Sequence, residues 1–322
     1  MNVIVIPFFI AAHITMDKPW EHGPEYTFQV QVNSTAVPGE DVYGSMRLNL
    51  ESKLICQPKG PYALSCHFED SQASSFIADS LDPSEPAVPT GQVSRQAAYE
   101  INEDQFEISF NERGVDGLVV NENIQPRELD MIRMIVGQMS VGAALDDDIG
   151  NDGMTFGAME NFTQGECYTT FKIDKKLVGR SLYAKRGFAL KPIFGLKDGK
   201  LVQIRKTRNL VMCTHKVPYF FGSVESFREE SDIMSDMSMS DGHIIITSTE
   251  FISGTSNVIT TSKISEAVVT TLYENVRLRL ESIRPAESEP PAVKEAEPAT
   301  IFIGRWLIDD STSEEDDDDM IR

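Results

Sequence analysis

Apolar and polar residues alternate with a period of two along most of the chain. The clearest runs are Tyr26-Phe28-Val30-Val32, Met46-Leu48-Leu50, Phe106-Ile108-Phe110, and residues 272–280 through Val276 and Leu278. Such alternation is typical of strands that bury one face. The pair Asp198-Gly199, between two further runs, is a strong hairpin signal. Many strands with turn signals between them predict a mainly β fold of antiparallel strands, either a barrel or a strongly curled sheet.

One segment departs from this rhythm, at residues 125–141 (QPRELDMIRMIVGQMSV). Pro126 stands near its start, and apolar residues follow at spacings of three and four, which is the helical period. Additional Met and Ile residues widen the apolar stripe until it covers most of the circumference. A helix of this kind is buried on several sides. We therefore expect one central α-helix with the sheet wrapped around it.

Polar stretches interrupt the strands and end the chain. Residues 70–95, 145–152 and 228–242 are predicted to be disordered acidic loops, residues 284–298 a Pro/Glu-rich linker, and residues 311–319 (STSEEDDDD) a disordered acidic tail. Ser311, Thr312 and Ser313 each have an acid three residues on, so they are predicted phosphorylation sites. The expected domains are a signal peptide at 1–16, a β module at 17–284, and linker and tail at 285–322.

The N-terminus favours secretion. Residues 3–14 (VIVIPFFIAAHI) have the length and composition of a signal-peptide core, although the basic residues that normally precede such a core are missing. The alternative is a buried first strand interrupted by Pro7. A secreted chain would make the sequons at Asn33 and Asn161 glycosylation sites. No apolar run approaches the roughly 18 to 20 residues that span a bilayer, so we expect no transmembrane segment.

The chain offers little chemistry. Its net charge of -21 over 322 residues argues against a protein that binds nucleic acid with its whole surface. It has no phosphate-binding glycine loop, nucleophile elbow or HExxH motif, and its five histidines are scattered. We expect no enzyme, no metal site and no cofactor. Cys167 lies in a strand pattern, TQGECYTTFKI, where it could be a buried hydrophobe, a nucleophile, a metal ligand or half of a disulfide.

Cationic residues are concentrated in one part of the chain. Residues 172–216 contain thirteen Lys or Arg against two acids, a balance of +11, so the remainder carries -32. Segregation of this size favours a positive face that meets an anionic partner, although a merely solvated strand face is the alternative. Because unpaired buried charge is costly, these cations cannot all face inward, and we expect eight of them at the surface. The predicted partner-binding residues are Lys172, Lys175, Lys176, Lys185, Arg186, Arg205, Lys206 and Arg208.

Four blocks of the sequence resemble the N-terminal module of vitellogenins, which are egg-yolk precursors of the large lipid transfer protein family. The blocks are KPWEHGPEYTFQV (18–30), the helical segment, GECYTTFKI (165–173) and KTRNLVMC (206–213). Their order and spacing also match, and the resemblance covers about residues 20–284. The GECxT block followed by KxRNxxxC is the most specific element. At Tyr168 vitellogenins usually carry an acid.

The resemblance implies a β-barrel curled around one central helix and a disulfide between Cys167 and Cys213. It further implies recognition by receptors of the low-density-lipoprotein-receptor class, whose acidic repeats would be a counterpart for the basic segment. The other two cysteines, Cys56 and Cys66, flank a turn containing Pro58 and Gly60, and are a candidate second disulfide.

Two functions compete at this point. The first is a secreted module for lipid transport or yolk storage that acts by binding a receptor or partner. It would contact lipid or lipoprotein only indirectly, because the resemblance places the lipid cavity in later domains that this chain does not reach. That leaves a short standalone protein or a truncated chain. The second is an unrelated secreted β-barrel that binds a small apolar ligand, and the apolar helix argues against it by filling the interior.

Overall fold

The computed structural model of the protein describes residues 2–6, 10–14, 21–39, 45–78, 101–143, 153–177, 188–192, 200–214, 233–247, 249–263 and 266–303. Within these ranges the chain forms fifteen strands and one α-helix, α1 (Pro126–Val136), which continues into a 3-10 turn at Gly137–Met139. The strands are β1 (Asn2–Ile6), β2 (Ile10–Ile14), β3 (Pro24–Pro38), β4 (Ser45–Pro58), β5 (Ala63–Ala78), β6 (Phe106–Asn111), β7 (Gly114–Asn121), β8 (Met154–Phe162), β9 (Gly165–Leu177), β10 (Phe188–Pro192), β11 (Lys200–Thr214), β12 (Ile233–Ile246), β13 (Phe251–Lys263), β14 (Glu266–Pro285) and β15 (Ala296–Ala299).

Twelve strands form one sheet in the order β15-β7-β6-β5-β4-β3-β14-β13-β12-β11-β9-β8. Every pairing in it is antiparallel, which confirms the mainly β, antiparallel prediction. On β3 the predicted alternation is confirmed, because Tyr26, Phe28, Val30 and Val32 are all buried. On β4 it is wrong at one position, since Met46 is 50% exposed.

The predicted central helix is confirmed, although it is shorter than expected. Every residue from Leu129 to Val136 is buried. Packing of α1 is against β14, while the 3-10 turn packs against β7, β13 and β14. The helix ends at Gly137, where a residue of low helix propensity follows the apolar run. Ser140 is already extended, so the chain leaves the helix before the predicted end at residue 141.

The predicted barrel needs correction, because the sheet of the described part is open. Its two end strands, β8 and β15, do not pair with each other. A backbone hydrogen bond joins the segments that follow them: Ile303 N donates to Thr163 O at 2.7 Å. The strand β15 has four residues and contains Pro298, which suits an edge and not a long closing ladder. The fold is a strongly curled sheet around a helix.

Packed structure extends past the predicted module boundary at residue 284. Strand β15 pairs with β7, and Ala299, Ile301 and Ile303 belong to the hydrophobic core. Ala286 N also donates to Gly23 O at 3.0 Å, which holds the start of the predicted linker. The Pro/Glu-rich composition predicts a free linker, but the apolar residues that follow it anchor this segment to the core. The acidic tail and its three predicted phosphorylation sites lie outside the described residues.

Two of the predicted loops contain strand. Strand β5 runs on to Ala78 and β12 begins at Ile233, so residues 72–78 and most of residues 233–242 are paired with neighbouring strands and are not loops. Serines on these strands bond across the sheet: Ser52 Oγ and Ser71 Oγ are 2.8 Å apart, and Ser240 Oγ donates to Asn257 Oδ1 at 2.8 Å. Composition alone therefore does not distinguish a serine-rich strand from a loop. The rest of the predicted loops, and the Asp198-Gly199 turn, lie outside the described residues.

The N-terminal segment forms two strands. Strand β2 pairs with β1 on one side and with β10 on the other, making a small separate sheet. This arrangement agrees with the alternative of a strand interrupted near Pro7. Removal of residues 1–16 as a signal peptide stays a prediction. Among the described residues, no helix is long and apolar enough to cross a membrane.

Candidate partner-binding face and the buried charges beneath it

The predicted basic residues lie mainly on two neighbouring strands, β9 and β11. In the antiparallel register Lys172 is opposite Arg205. Both side chains point to the outer face of the sheet and are about half exposed, at 50% and 52%. Lys176 is also exposed and Lys175 is half-buried. Three predicted partner-binding residues therefore lie on the outer face, whereas Lys175 is on the side of β9 that carries Ile173, contrary to the prediction.

One acid lies between the two outer cations. Asp174 Oδ2 accepts from Arg205 Nη2 at 2.8 Å, and its Oδ1 is 3.9 Å from Lys172 Nζ. We name Lys172, Asp174 and Arg205 the outer triad. Because all three contact solvent, water and salt screen these attractions and the two cations keep much of their field.

The prediction that Lys206 and Arg208 on β11 lie at the surface is wrong. Lys206 and Arg208 face the interior and are only 3% and 8% exposed. Both lie on the face of the strand that carries Phe171 and Cys167 on β9. These two cations are buried, contrary to that expectation, because a buried carboxylate and further hydrogen bonds offset the cost. Lys185 and Arg186 lie outside the described residues, so their role stays a prediction.

The buried carboxylate belongs to Glu160 on β8. Lys206 Nζ donates to its Oε1 at 2.8 Å, while Arg208 donates from Nε to Oε2 and from Nη2 to Oε1, both at 3.0 Å. Lys206 Nζ also donates to Ser140 O at 3.0 Å, and the Arg208 guanidinium lies 4.5 Å from the centre of the Phe162 ring. We name Glu160, Lys206 and Arg208 the inner triad.

Charge pairing decides the protonation of Glu160. Burial alone would raise the pKa of this carboxyl, but Arg208 and Lys206 outweigh burial and hold the pKa at about 2. Charge-assisted bonds of this kind are stronger than neutral ones, and those from Arg208 are bidentate. Glu160 is therefore ionised at neutral pH.

A chain of hydrogen bonds continues from the inner triad across the sheet. Arg208 Nη1 donates to Ser240 Oγ at 2.9 Å, Ser240 Oγ donates to Asn257 Oδ1 at 2.8 Å, and Asn257 Nδ2 donates to Glu274 Oε1 at 2.7 Å. Burial raises the pKa of Glu274 to about 8. At neutral pH the chain thus ends in a largely protonated carboxyl.

The helix adds a second buried ion pair. Arg133 Nη1 donates to Asp130 Oδ1 at 2.8 Å, and Arg133 Nε donates to Thr300 O at 2.8 Å. This contact links α1 to the segment after β15. A cavity of about 40 Å³ lies between the helix and the sheet, with Arg133, Glu160 and Glu274 in its lining. The cavity has room for a few water molecules.

Sequence reasoning missed these inner polar groups, although a signal was present. Glu274 lies between Leu272 and Val276 in one of the alternating runs, at a position predicted to face inward. Glu160, Asp130 and Arg133 likewise carry charge on faces that are otherwise apolar. A charged residue at an inward position of a regular pattern indicates a buried partner of opposite sign or a shifted pKa.

Both predicted disulfides are present in the structure, between Cys167 and Cys213 and between Cys56 and Cys66. Each joins residues directly opposite on neighbouring strands: the first links β9 to β11, and the second links β4 to β5. Cys167 is therefore half of a disulfide, and not a free buried thiol, a nucleophile or a metal ligand.

The remaining predicted sites are on the surface. Asn33 on β3 and Asn161 on β8 are both exposed, so their side chains are accessible for a glycan, and glycosylation stays a prediction. Within the described ranges no cluster of three metal-ligating side chains was found. A cleft of about 550 Å³ opens beside the β6–β7 turn and is lined mostly by polar residues such as Asn111, Glu112 and Asn161.

Comparison with known proteins gives a consistent assignment. The family model described as "Vitellogenin N-terminal domain" matches residues 20–285. Vitellogenin-1 of Solenopsis invicta is 21% identical over 284 residues, which are 82% of this chain and 17% of that protein. A solved structure described as "lipid-protein interactions in lipovitellin" matches with a TM-score of 0.58 at 13% identity, over 88% of this chain and 28% of that one. The chain thus spans about a sixth of its relative, and at such low identity the lipovitellin match shows the fold alone. Because the family model covers most of its length, the chain belongs to the vitellogenin N-terminal domain family.

Proposed function

We propose that this protein is a secreted vitellogenin-type module for lipid transport or yolk storage, acting by binding an acidic receptor or partner. The observation that carries the proposal is the separation of charge between the two faces of β9 and β11. Lys172, Lys176 and Arg205 present positive charge to solvent, while the cations of the inner triad are buried and bonded to Glu160.

Secretion and lipid transport rest on different supports. Two disulfides suit an oxidising compartment, and that compartment includes the extracellular space. Membership of the vitellogenin family supports a role beside lipid. The 40 Å³ cavity next to the helix is far below the roughly 300 to 1,000 Å³ of small-molecule sites, so we propose that this module does not itself enclose lipid. The competing role, binding a small apolar ligand inside the sheet, gains no support there, and the 550 Å³ cleft is lined by charged and amide side chains such as Glu112 and Asn161.

An acidic receptor repeat of the low-density-lipoprotein-receptor class is the partner we propose. Exposed cations steer such a partner to the surface and fix its orientation, and salt weakens the attraction over a Debye length of about 8 Å at physiological ionic strength. Binding should therefore be fast and should weaken as salt is added.

The experiment replaces Lys172, Lys176 and Arg205 with Glu and measures binding to an immobilised acidic receptor repeat. A matched control carries the same substitutions at three exposed cations elsewhere, Arg113, Arg284 and Lys294. We expect the first variant to lose binding by at least about tenfold and the control to retain it, because only the first reverses the outer basic face. Both should melt like the parent.

Equal binding by the first variant and the parent at physiological salt would overturn the proposal. A further variant with Glu at Lys185 and Arg186 tests the two predicted residues outside the described ranges.

A further inference from the structure

A row of basic side chains crosses the outer face of the sheet at right angles to the strands. In register, Lys172 on β9 is opposite Arg205 on β11, and Arg205 is opposite His243 on β12. His243 is opposite Gly254 on β13, and Gly254 is opposite Arg277 on β14. Two of these, His243 and Arg277, lie outside the basic segment of the sequence and become its neighbours only through strand pairing.

Gly254 makes the row continuous. A Cβ atom built at Gly254 would lie 2.7 Å from His243 Cε1 and 3.1 Å from His243 Nε2. The imidazole therefore lies over the glycine and extends from β12 toward β14, where Arg277 is exposed. The absence of a side chain on β13 lets the histidine occupy the space between the two arginines.

We infer that Lys172, Arg205, His243 and Arg277 form one anion-binding row that takes an extended acidic peptide segment crossing the strands. This inference rests on the proposed function and specifies its site: recognition runs across the sheet and not along β9. The alternative geometry would follow one strand through Lys172 and Lys176.

The dimensions of the row suit an extended peptide. It crosses five strands, β9, β11, β12, β13 and β14, whose spacing of about 4.8 Å gives a length of about 19 Å. An extended segment of about six residues has the same length at about 3.3 Å per residue. The outer surface next to the row carries Thr170, Thr207 and Asn275, which can donate hydrogen bonds to carboxylates. Ser256 Oγ donates to Asn275 Oδ1 at 2.7 Å, and Asp241 lies between Thr207 and Ser256.

His243 gives the row a pH dependence with a defined sign. Arg205 on β11 and Arg277 on β14 face it, Asp241 is its acidic neighbour on β12, and Lys172 with Asp174 lies beyond Arg205. Burial and Arg277 hold the pKa of His243 below its ordinary value, so the free protein carries a neutral imidazole at pH 7 to 8. A bound carboxylate would raise that pKa. Binding should therefore take up a proton and tighten as pH falls through the range between the free and bound values.

The test uses the full chain and a fluorescein-labelled hexa-aspartate peptide, with affinity followed by fluorescence anisotropy at pH 8 and pH 6. Arg277→Glu has a matched control in Arg284→Glu, which makes the same change on the same strand at another exposed position. His243→Gln has a control in His67→Gln on β5, a half-buried histidine away from the row. Lys176→Glu separates the two directions of binding, because Lys176 belongs only to the alternative along β9, whereas Lys172→Glu should weaken both.

We expect Arg277→Glu to weaken binding about fivefold while Arg284→Glu changes it little. The parent should bind about threefold more tightly at pH 6 than at pH 8, and His243→Gln should remove most of that difference while His67→Gln keeps it. Thermal melting like that of the parent would show that Arg277→Glu acts on binding and not on folding.

Different results overturn different statements. Binding that depends on Lys172 and Lys176 but ignores Arg277→Glu and pH would overturn the transverse row and leave the proposed function standing. Absence of any binding by the parent, together with an unchanged receptor affinity of the outer-face variant, would overturn both. Tighter binding of a DNA oligonucleotide of equal charge would overturn an acidic peptide as the occupant.

Discussion

The same two strands hold a carboxylate between two cations on each of their faces. In the outer triad, Asp174 contacts Lys172 and Arg205, whose side chains are about half exposed. In the inner triad, Glu160 contacts Lys206 and Arg208, and all three are buried. Each triad has two cations and one carboxylate, but the outer cations are open to a partner whereas the inner ones are buried and bonded to Glu160.

The difference arises from solvation. Removing two cations from water has a large desolvation cost, which is offset only when hydrogen bonds and an opposite charge satisfy them. The inner triad meets that condition with three bonds to Glu160 and further bonds to Ser140 and Ser240. In water the outer triad has no such requirement, so the single contact of Asp174 with Arg205 can break at little cost.

The largest expected effect comes from neutralising Glu160. Glu160→Gln leaves Lys206 and Arg208 buried without a counter-charge, and breaking a buried pair in this way costs about 3 to 5 kcal/mol of unfolding free energy. The measurement is denaturant unfolding followed by circular dichroism. Asp174→Asn is the matched control, because it also removes one carboxylate from between two cations. A loss below about 1 kcal/mol for Glu160→Gln would show that the inner triad is not a stabilising contact.

The disulfides should rank next, and the longer loop should contribute more. Cys167 and Cys213 are 46 residues apart and Cys56 and Cys66 are 10 apart. The chain-entropy account predicts losses of about 4 and about 3 kcal/mol for the paired Cys→Ser variants. The first disulfide also fixes the register of β9 and β11, so its loss should loosen both triads. Unfolding of the two double variants under one set of conditions compares them, and equal losses would contradict the dependence on loop length.

The sequence predicts the strands, the buried helix and the exposed cations better than it predicts the buried charges. Period-two alternation locates β3, β6 and β14, and the wide apolar stripe identifies α1 as buried, because both patterns depend on local geometry. Placement of Lys206 and Arg208 depends on Glu160, which is 46 and 48 residues earlier and reaches them only after β8 pairs with β9. The row through His243 and Arg277 likewise exists only in the strand register. Charge alone therefore could not separate the two faces.

The two buried carboxylates should respond to pH in opposite directions. Burial raises the pKa of Glu274 from 4.5 to about 8, so the folded state binds the extra proton and stability is lost as pH rises from about 4.5 to 8. The pKa of Glu160 is held at about 2, so its contribution is present above about 4.5 and is lost as pH falls toward 2.

Glu274→Gln tests the upper limb of that profile. One proton difference gives a slope of about 1.4 kcal/mol per pH unit, and the variant should lose this slope between pH 5 and 8. The measurement is unfolding free energy at intervals of one pH unit, with Glu281→Gln, an exposed glutamate on the same strand, as the control. A parent profile that is flat over this interval would contradict a protonated Glu274.

The smallest effect on stability, and the most informative one for function, is expected from Asp174→Asn. Exposed ion pairs contribute about 0.2 to 1 kcal/mol, so the unfolding free energy should change by no more than that. The affinity for an acidic peptide should instead increase. Removing the acid frees Arg205 and Lys172 from a competing carboxylate, and an acidic peptide should then bind about two- to fivefold more tightly at physiological salt. Titration of the hexa-aspartate peptide into parent and variant measures this change, and Asp116→Asn, an exposed acid on β7, serves as the control. Weaker binding by Asp174→Asn would mean that Asp174 orients the two cations for the partner and does not compete with it.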